Sequence, residues 1–261
     1  MLAVRPSLHR AEEIALWGGL RAPGAGVAPW HLSVDTGMAR AGIRWDAVAS
    51  LSDAITQAPP EGVFTHFHSA DESLAARDEQ DARFNEVLRR LGTVLPPTVL
   101  VHRDNSGAIA SREGGSPGDL ARPGIALYAG MFATELGLRQ AAHLRARVID
   151  LRTVRAGETV SYGATWMAPT DRMVATVACG YADGYRRHLS NAGVVLIHGR
   201  RCPVLGRVTM DMIMVDVTEV PCGLGDVATL LGADGVDELS VEMIAALGGV
   251  SPYELLTGLP Q

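Results

Sequence analysis

The first half of the chain repeats one order of segments, in which a short apolar strand leads into a polar turn and then a helix. Strands are expected at residues 30–34, 62–68 and 98–102, and a fourth unit begins at Arg122. Strands that alternate with helices in this way pair in parallel, often as a TIM-type (β/α)8 barrel. A whole barrel takes about 250 residues. Residues 1–138 are therefore predicted to form only part of one.

Helical patterns fill the intervals between these strands. Residues 11–20, 46–57 and 71–92 are predicted to be helices, and the last is long, charged and amphipathic. The first strand ends in the polar turn 35–40, the kind of segment that carries function beyond the carboxyl end of a barrel strand.

The pattern changes near residue 140, after which strands follow one another and helices become scarce. Residues 139–261 are predicted to form a separate all-β domain, with a turn at Gly157 and Glu158 and one helix over 240–247. Its strands are expected at 146–154, 174–177, 194–198, 204–210, 212–217 and 227–231. The predicted fold class is α/β plus all-β, a partial (β/α)8 TIM-type barrel followed by a carboxyl-terminal β domain.

The basic residues narrow the chemistry that the chain can perform. All 23 of them are arginine, so the chain has no lysine, and no mechanism can take a lysine amine from it. The net charge of -6 argues against nucleic-acid binding, and no apolar run is as long as a membrane helix requires. The opening residues look like neither a signal nor a transit peptide, and the three cysteines lack metal spacing. A cytoplasmic location and reduced thiols are expected.

Eight short motifs occur in one order along the chain. They are HLSVDTGMARAG from residue 31, THFHSAD from 65, NS from 105, RPGI from 122, GETVSYG from 157, GYADGY from 180, GRVTMD from 206 and PYE from 252. Together they resemble the motifs of alanine racemases, which use pyridoxal 5'-phosphate (PLP) and combine a barrel with a β domain. The order of the motifs is far more specific than any one of them.

The resemblance implies that the chain takes part in the interconversion of L- and D-alanine for peptidoglycan, as a homodimer. It implies that Tyr162 is a catalytic base. The residues implied to meet the substrate are Arg40, Tyr181, Met210 and Asp211, and those implied to hold PLP are His66, Ser106, Arg122, Gly124, Ile125 and Tyr253. Tyr162, Tyr181 and Met210 would act across the dimer interface.

These residue types suit the implied chemistry. Racemisation removes an α-proton on one face and returns one on the other, and PLP makes this feasible as an electron sink. A phenol is a weak acid, so Tyr162 would need a cationic neighbour to act as a base. Arg122 would face the pyridine nitrogen and, since a guanidinium only donates, would oppose its protonation. His66 would support the ring.

The phosphate of PLP would meet a second group of residues. Gly124 and Ile125 would offer backbone N–H groups at the start of a helix, and Ser106 and Tyr253 would offer hydroxyls. Each of these residues alone has an ordinary structural explanation, because Asn-Ser-Gly and Arg-Pro-Gly are common turn sequences.

Two departures from the family are expected to matter. The family lysine that carries PLP lies on the first barrel strand, and the resemblance implies that the opening strand–helix units before Met1 and a closing strand after Gln261 are missing. A second family lysine is replaced by Ser33. The chain is therefore expected to be a truncated form that is inactive alone.

Three functions stay open on this basis. The chain is a fragment or misassigned start of a working racemase, or a non-catalytic remnant that binds PLP or a full-length partner. Alternatively, His66 and His68 fall on one face of the predicted strand. With His102 and Asp71 they would bind a divalent metal for hydrolysis.

Overall fold

The computed structural model describes residues 4–20, 28–128 and 131–259. The chain divides into two units, Met1–Gly124 and Ile125–Gln261. The predicted fold class is confirmed, because the first unit contains a parallel sheet with helices and the second an antiparallel sheet. The domain boundary expected between residues 138 and 139 stays a prediction.

The first unit is built on a parallel sheet. Its strands are β1 (Ser7–Leu8), β2 (His31–Asp35), β3 (Ile43–Arg44), β4 (Gly62–Thr65), β5 (Leu100–Asn105) and β6 (Leu120–Arg122). Their spatial order is β1-β2-β4-β5-β6, with β3 beside β2. Its helices are α1 (Ala11–Gly18), α2 (Ser52–Gln57), α3 (Leu74–Leu91) and α4 (Ser106–Ser111). Because these strands are parallel, their carboxyl ends meet at one edge, where ligands bind in α/β proteins.

Helix α3 shows how the sequence produces these elements. The Ser73 hydroxyl caps its first turn by accepting a hydrogen bond from the Ala76 N–H. Buried residues then recur every three or four positions, at Gln80, Phe84, Val87 and Leu91. The three apolar members join the core between the helices and the sheet.

Several predicted elements of this unit differ in extent. The strand expected at 62–68 ends at Thr65, and the helix expected at 71–92 is Leu74–Leu91. The strand expected at 98–102 is displaced to Leu100–Asn105. The helix expected at 46–57 consists of a 3-10 turn followed by α2.

The second unit contains an antiparallel sheet of seven strands and a separate hairpin. The strands are β7 (Leu144–Val154), β8 (Thr159–Val160), β9 (Trp166–Met167), β10 (Arg172–Val177), β11 (Val194–Ile197), β12 (Arg200–Pro203), β13 (Ile213–Asp216), β14 (Val227–Asp234) and β15 (Asp237–Leu239). The order is β12-β11-β14-β7-β10-β13, with β15 beside β14, and β8 pairs with β9. Long strand β7 pairs with β14 through residues 144–147 and with β10 through residues 148–154.

Three short helices complete the second unit, α5 (Ala133–Leu136), α6 (Val241–Gly248) and α7 (Pro252–Thr257). Helix α6 matches the helix expected at 240–247, whereas α7 was not predicted. Among the helices in the described ranges, none has the length and apolar character to cross a membrane.

The strand predicted at 204–210 is wrong. Gly206 has φ +73°, and a Cβ there would lie 2.5 Å from the Val160 carbonyl oxygen, so the chain passes this point as a loop. The strand that forms instead is β12, which a turn at His198 and Gly199 joins to β11. Gly157 does lie in a turn, with φ +83°.

Candidate active site

Arg122 lies at the carboxyl end of β6, and its guanidinium is held on several sides. Its Nη1 donates to Nδ1 of His102 at 2.6 Å, and its Nη2 donates to the carbonyl oxygens of Thr65 at 2.6 Å and Arg103 at 3.3 Å. Its guanidinium carbon lies 5.0 Å from the centre of the Phe64 ring. Arg122 is therefore a fixed cationic donor at the edge where the parallel strands end.

His66 follows β4 directly and lies within electrostatic range of this group. Burial, Arg122 and Arg40 together lower the pKa of its imidazole, with burial as the largest cause. A neutral imidazole near pH 7 follows. Three residues that the sequence predicted for the site therefore influence one another in the first unit.

Gln80 of α3 explains why β4 stops before His66. Its amide nitrogen donates to Thr36 Oγ1 at 3.1 Å and to the His66 carbonyl oxygen at 3.2 Å, and its amide oxygen accepts from the His68 N–H at 3.1 Å. The side chain therefore supplies hydrogen-bond partners to backbone groups that follow the end of β4 and have no partner strand. The prediction that strand alternation places His66 and His68 on one face is wrong, because the strand ends at Thr65.

The alternative metal site has no ligand set among the residues that the structure describes. No three His, Cys, Asp or Glu side chains converge there. His68 is exposed, with Nδ1 2.9 Å from Ser69 Oγ, whereas the two ring nitrogens of His102 are engaged by Arg122 and His31.

Ser106 opens α4 and is buried. The Asn105 side chain caps this helix by accepting from the Ala108 N–H. A Cβ on Gly124 would lie 4.0 Å from Ser106 Oγ, so these two predicted residues are neighbours. The Gly124 N–H, expected to face a phosphate, donates instead to the Arg122 carbonyl oxygen at 2.9 Å.

One open cavity of about 710 Å³ in the second unit gathers four predicted residues. They are Tyr162, Tyr181, Met210 and Asp211, and all four are exposed. The other lining residues include Arg186, Arg187, His188 and Arg207, with Glu254 as an acidic member. A cavity that combines two phenols with several guanidinium groups suits a small anionic molecule.

Tyr162 stands on a turn with an unusual backbone. Ser161 and Ala164 on either side have φ of +66° and +48°, and Gly163 has φ +72°. Ser161 Oγ donates to the Arg207 carbonyl oxygen at 2.7 Å. A Cβ on Gly163 would lie 3.2 Å from the Arg207 guanidinium carbon, so a cation packs against the residue after Tyr162. Left-handed residues other than glycine are strained and often occur at functional sites.

Tyr181 and Met210 are brought together by backbone contacts between their loops. The Tyr181 N–H donates to the Thr209 carbonyl oxygen, and the Ala182 N–H to that of Met210, both at 3.0 Å. Gly180 permits this approach, because a Cβ there would lie 2.3 Å from the Met210 carbonyl oxygen.

Tyr253 and Ile125 are not part of the cavity lining. Tyr253 is exposed in the first turn of α7, which the Ser251 side chain caps, and its neighbour Glu254 does line the cavity. Ile125 begins a 3-10 turn and is buried. Their contacts with a phosphate stay predictions.

Sequence reasoning missed the basic members of the cavity. Arg186 and Arg187 directly follow the GYADGY motif, and Arg207 lies inside GRVTMD. Their places in or beside the motifs could have identified them as site residues. It also missed Gln80, for which no signal existed, because a glutamine in a charged helix normally faces water.

Comparison with known proteins places these features in a family. The model of the family "Alanine racemase, N-terminal domain" matches residues 2–131, and the model of "Alanine racemase, C-terminal domain" matches residues 141–261. The Deinococcus radiodurans alanine racemase is 46% identical over 235 residues, covering 88% of this chain and 64% of its own length. The Halothermothrix orenii alanine racemase is 36% identical over 266 residues, with 98% and 70% covered. The chain therefore spans about two thirds of the length of these curated relatives.

Solved structures agree with the sequence relatives. The alanine racemase of Streptomyces coelicolor A3(2) superposes with a TM-score of 0.88 at 31% identity, covering 98% of this chain and 71% of its own. That of Bartonella henselae, which holds covalently bound pyridoxal phosphate, gives 0.84 at 30% identity, with 99% and 72% covered.

The fold and the two matched domains define a chain with the two-domain architecture of alanine racemases. This chain belongs to the alanine racemase family.

Proposed function

We propose that the chain provides the cofactor-binding and proton-transfer groups of a PLP-dependent alanine racemase, and that it works as a homodimer with alanine as substrate. The observation that carries the proposal is the fixed guanidinium of Arg122 beside the neutral imidazole of His66. The family supports the cofactor, since a relative at 30% identity holds PLP covalently.

The residues of the first unit could hold PLP through non-covalent contacts, but they include no side-chain amine that could attach it. Arg122 offers donors to a ring nitrogen that accepts, His66 offers a flat uncharged surface, and buried Ser106 offers a hydroxyl beside Gly124. The chain has no lysine, so the amine that carries PLP must come from outside these 261 residues. PLP, when bound, supplies the electron sink for removal of an α-proton.

The chain's own side chains divide the remaining work. Arg122 would keep the ring nitrogen of bound PLP unprotonated, because a guanidinium cannot accept a proton and gives one up only at very high pH. Tyr162 holds and moves a proton at its phenol oxygen, in the cavity that the Arg207 side chain also lines. Arg40 would pair with the substrate carboxylate.

A non-catalytic PLP-binding protein is the second candidate, and the absence of lysine favours it. Both candidates require this chain itself to hold PLP without a covalent bond. They differ in whether activity appears when a lysine-bearing segment is supplied.

PLP binding tests what the two candidates share. Titration of the full chain with PLP, followed by cofactor absorbance and equilibrium dialysis, should show saturable binding. Arg122→Ala should weaken it by about tenfold or more, the effect of losing a charge-assisted hydrogen bond. Arg44→Ala, which removes an exposed arginine paired with Asp46, is the matched control and should bind as the unchanged chain does. Equal affinity in all three proteins would refute the proposal.

Activity separates the candidates. The chain is co-expressed with the part of the Deinococcus radiodurans relative that lies outside the match, and D- and L-alanine racemisation is followed. Tyr162→Phe should abolish racemisation in both directions and keep the PLP absorbance, whereas the control Tyr128→Phe should change neither. Racemisation that survives Tyr162→Phe would show that Tyr162 is not the base. No racemisation in any complex would favour the non-catalytic binder.

A further inference from the structure

A row of hydrogen bonds runs from Arg122 across the strands of the first sheet. Arg122 Nη1 meets Nδ1 of His102 at 2.6 Å, and Nε2 of His102 meets Nδ1 of His31 at 2.7 Å. Nε2 of His31 then meets Glu61 Oε2 at 3.2 Å, and the Arg5 Nε donates to the same oxygen at 2.5 Å. Of these four partners, only His102 was named from the sequence, as a ligand of the alternative metal site.

The two ends of this row fix where each proton lies. A guanidinium only donates, so Nδ1 of His102 must accept and its proton must sit on Nε2. That proton points at Nδ1 of His31, which therefore also accepts, so His31 carries its own proton on Nε2. Glu61 is an ionised acceptor at the far end. Every bond between Arg122 and Glu61 therefore points in one direction, and both imidazoles are neutral.

The surroundings agree with a neutral His102. Burial, Arg122 and His31 lower the pKa of His102 to about 4, with burial as the largest cause. Its ring is buried and stacks on Phe64, with centroids 4.9 Å apart and planes 8° apart.

The space for His31 is equally specific. A Cβ on Gly62, its partner in the β2–β4 register, would lie 2.5 Å from Nδ1 of His31. Glycine at this position therefore lets the imidazole lie across the neighbouring strand, where it reaches His102.

We infer that His102, His31 and Glu61 are positioning residues for Arg122, and that Glu61, as the terminal acceptor, is needed together with the donating guanidinium to keep all the hydrogen bonds of the row in one direction. If His31 carried its proton on Nδ1, it would donate to Nε2 of His102. His102 would then need its proton on Nδ1, where it would oppose the Nη1–H of Arg122. A change at Glu61 is thus transmitted to Arg122 through a change of tautomer in both imidazole rings.

The arrangement of protons is measurable by NMR in the full ¹⁵N-labelled chain without cofactor. Long-range ¹H–¹⁵N correlation distinguishes the two tautomers, and His31→Asn and His102→Asn assign the signals. Both rings should carry a proton on Nε2 alone. Glu61→Ala should introduce the Nδ1–H form of His31 and make the Arg122 guanidinium protons exchange about tenfold faster, the factor expected for one weakened hydrogen bond.

Two further variants test the terminal acceptor itself. Glu61→Gln keeps an acceptor oxygen and should preserve both tautomers. Arg5→Ala removes the ion pair but leaves the carboxylate, and should preserve them as well. The inference is overturned if His102 carries its proton on Nδ1 in the unchanged chain, if Glu61→Ala leaves both rings unaltered, or if Glu61→Gln acts like Glu61→Ala.

The link to cofactor affinity rests on the proposed function. Glu61→Ala should weaken PLP binding several-fold, while Arg5→Ala should not. The tautomers are read without PLP, so a chain with the expected tautomers that fails to bind PLP contradicts the proposed function alone. A chain that binds PLP with other tautomers contradicts this inference alone.

Discussion

Gln80 is a buried polar residue whose three hydrogen bonds hold the segment that carries His66. It is almost fully buried, and it serves Thr36 and backbone atoms of residues 66 and 68. Removing one side of a buried hydrogen bond leaves the other without a partner, which costs more than the bond itself contributes. The position of His66 therefore depends on a helix residue that touches neither cofactor nor substrate.

Replacement of this amide by an apolar group of similar size measures that dependence. Gln80→Leu should lower the free energy of unfolding by about 2–4 kcal/mol, because the His68 N–H and its neighbours lose their partner. Urea unfolding is followed by tryptophan fluorescence in a Trp166→Phe background, where the remaining tryptophans lie in the first unit. Gln57→Leu, at an exposed position in α2, should change stability by less than about 0.5 kcal/mol. Equal losses in the two variants would refute the role of Gln80.

The buried imidazole of His102 predicts a pH dependence of stability. Its pKa is about 4 in the folded chain, whereas an unfolded histidine titrates near 6.5. The unfolded chain therefore binds more protons between these values, and stability falls as the pH falls through this window. The contribution lost is on the order of 2–3 kcal/mol.

The predicted fall of stability at lower pH is tested by comparing the unchanged chain with His102→Asn, whose new side chain does not titrate. Free energies of unfolding measured from about pH 7.5 to pH 4.5 should run parallel above pH 7. Below about pH 6.5 the unchanged chain should lose stability more steeply. Identical slopes throughout would mean that His102 is not a buried neutral histidine.

At the scale of elements, the turn that carries Tyr162 depends on Gly206. Gly206→Ala should destabilise the second unit by more than about 2 kcal/mol and displace the β8–β9 hairpin, because the new methyl group would meet the Val160 carbonyl oxygen. Gly225→Ala is the matched control, since Gly225 also has a positive φ but has nothing within 4 Å of its Cβ position. It should show only the backbone cost, about 1 kcal/mol.

Trp166 of β9 reports on this hairpin directly, because it pairs with Val160. Its fluorescence should change in Gly206→Ala and stay as it is in Gly225→Ala. A Gly206→Ala protein with unaltered fluorescence and stability would show that the turn tolerates a side chain.

Alternation and turn residues were enough to predict most elements, and the exceptions share a physical cause. The strand expected to reach His68 stops at Thr65 because Gln80, from a helix further along the chain, satisfies the backbone there. The strand expected at 204–210 is a loop because Gly206 must pass close to Val160. Both outcomes depend on contacts between distant residues, which local periodicity does not contain.

The candidate site divides in the same way. Motif order identified Tyr162, Tyr181, Met210 and Asp211, which line one cavity. The row behind Arg122 needs strand register, which no residue pattern supplies. The resemblance implied that the Gly124 N–H faces a phosphate, and this role stays a prediction, since in the structure the N–H donates to the Arg122 carbonyl oxygen.

At the scale of the whole chain, the absence of lysine gives a simple chemical prediction. Borohydride reduction of the chain with PLP should leave no covalent pyridoxyl group on any internal residue, because no side chain offers a primary amine. Peptide mass spectrometry locates any adduct, and only the α-amino terminus is expected to react. The reconstituted complex is the positive control, with an adduct in the supplied segment. An internal adduct in this chain would contradict the prediction.

Strand β7 has a consequence for synthesis. Residues 148–154 of this strand pair with β10, which follows soon after in the sequence. Residues 144–147 pair with β14, whose first residue comes 73 residues after Val154. At about 5–20 residues per second, a ribosome takes roughly 4–15 s to reach β14. During that interval, residues 144–147 emerge as an open strand edge next to a half-built sheet. The nascent chain is therefore most exposed to misassociation late in translation, and slower codons between β13 and β14 would lengthen that period.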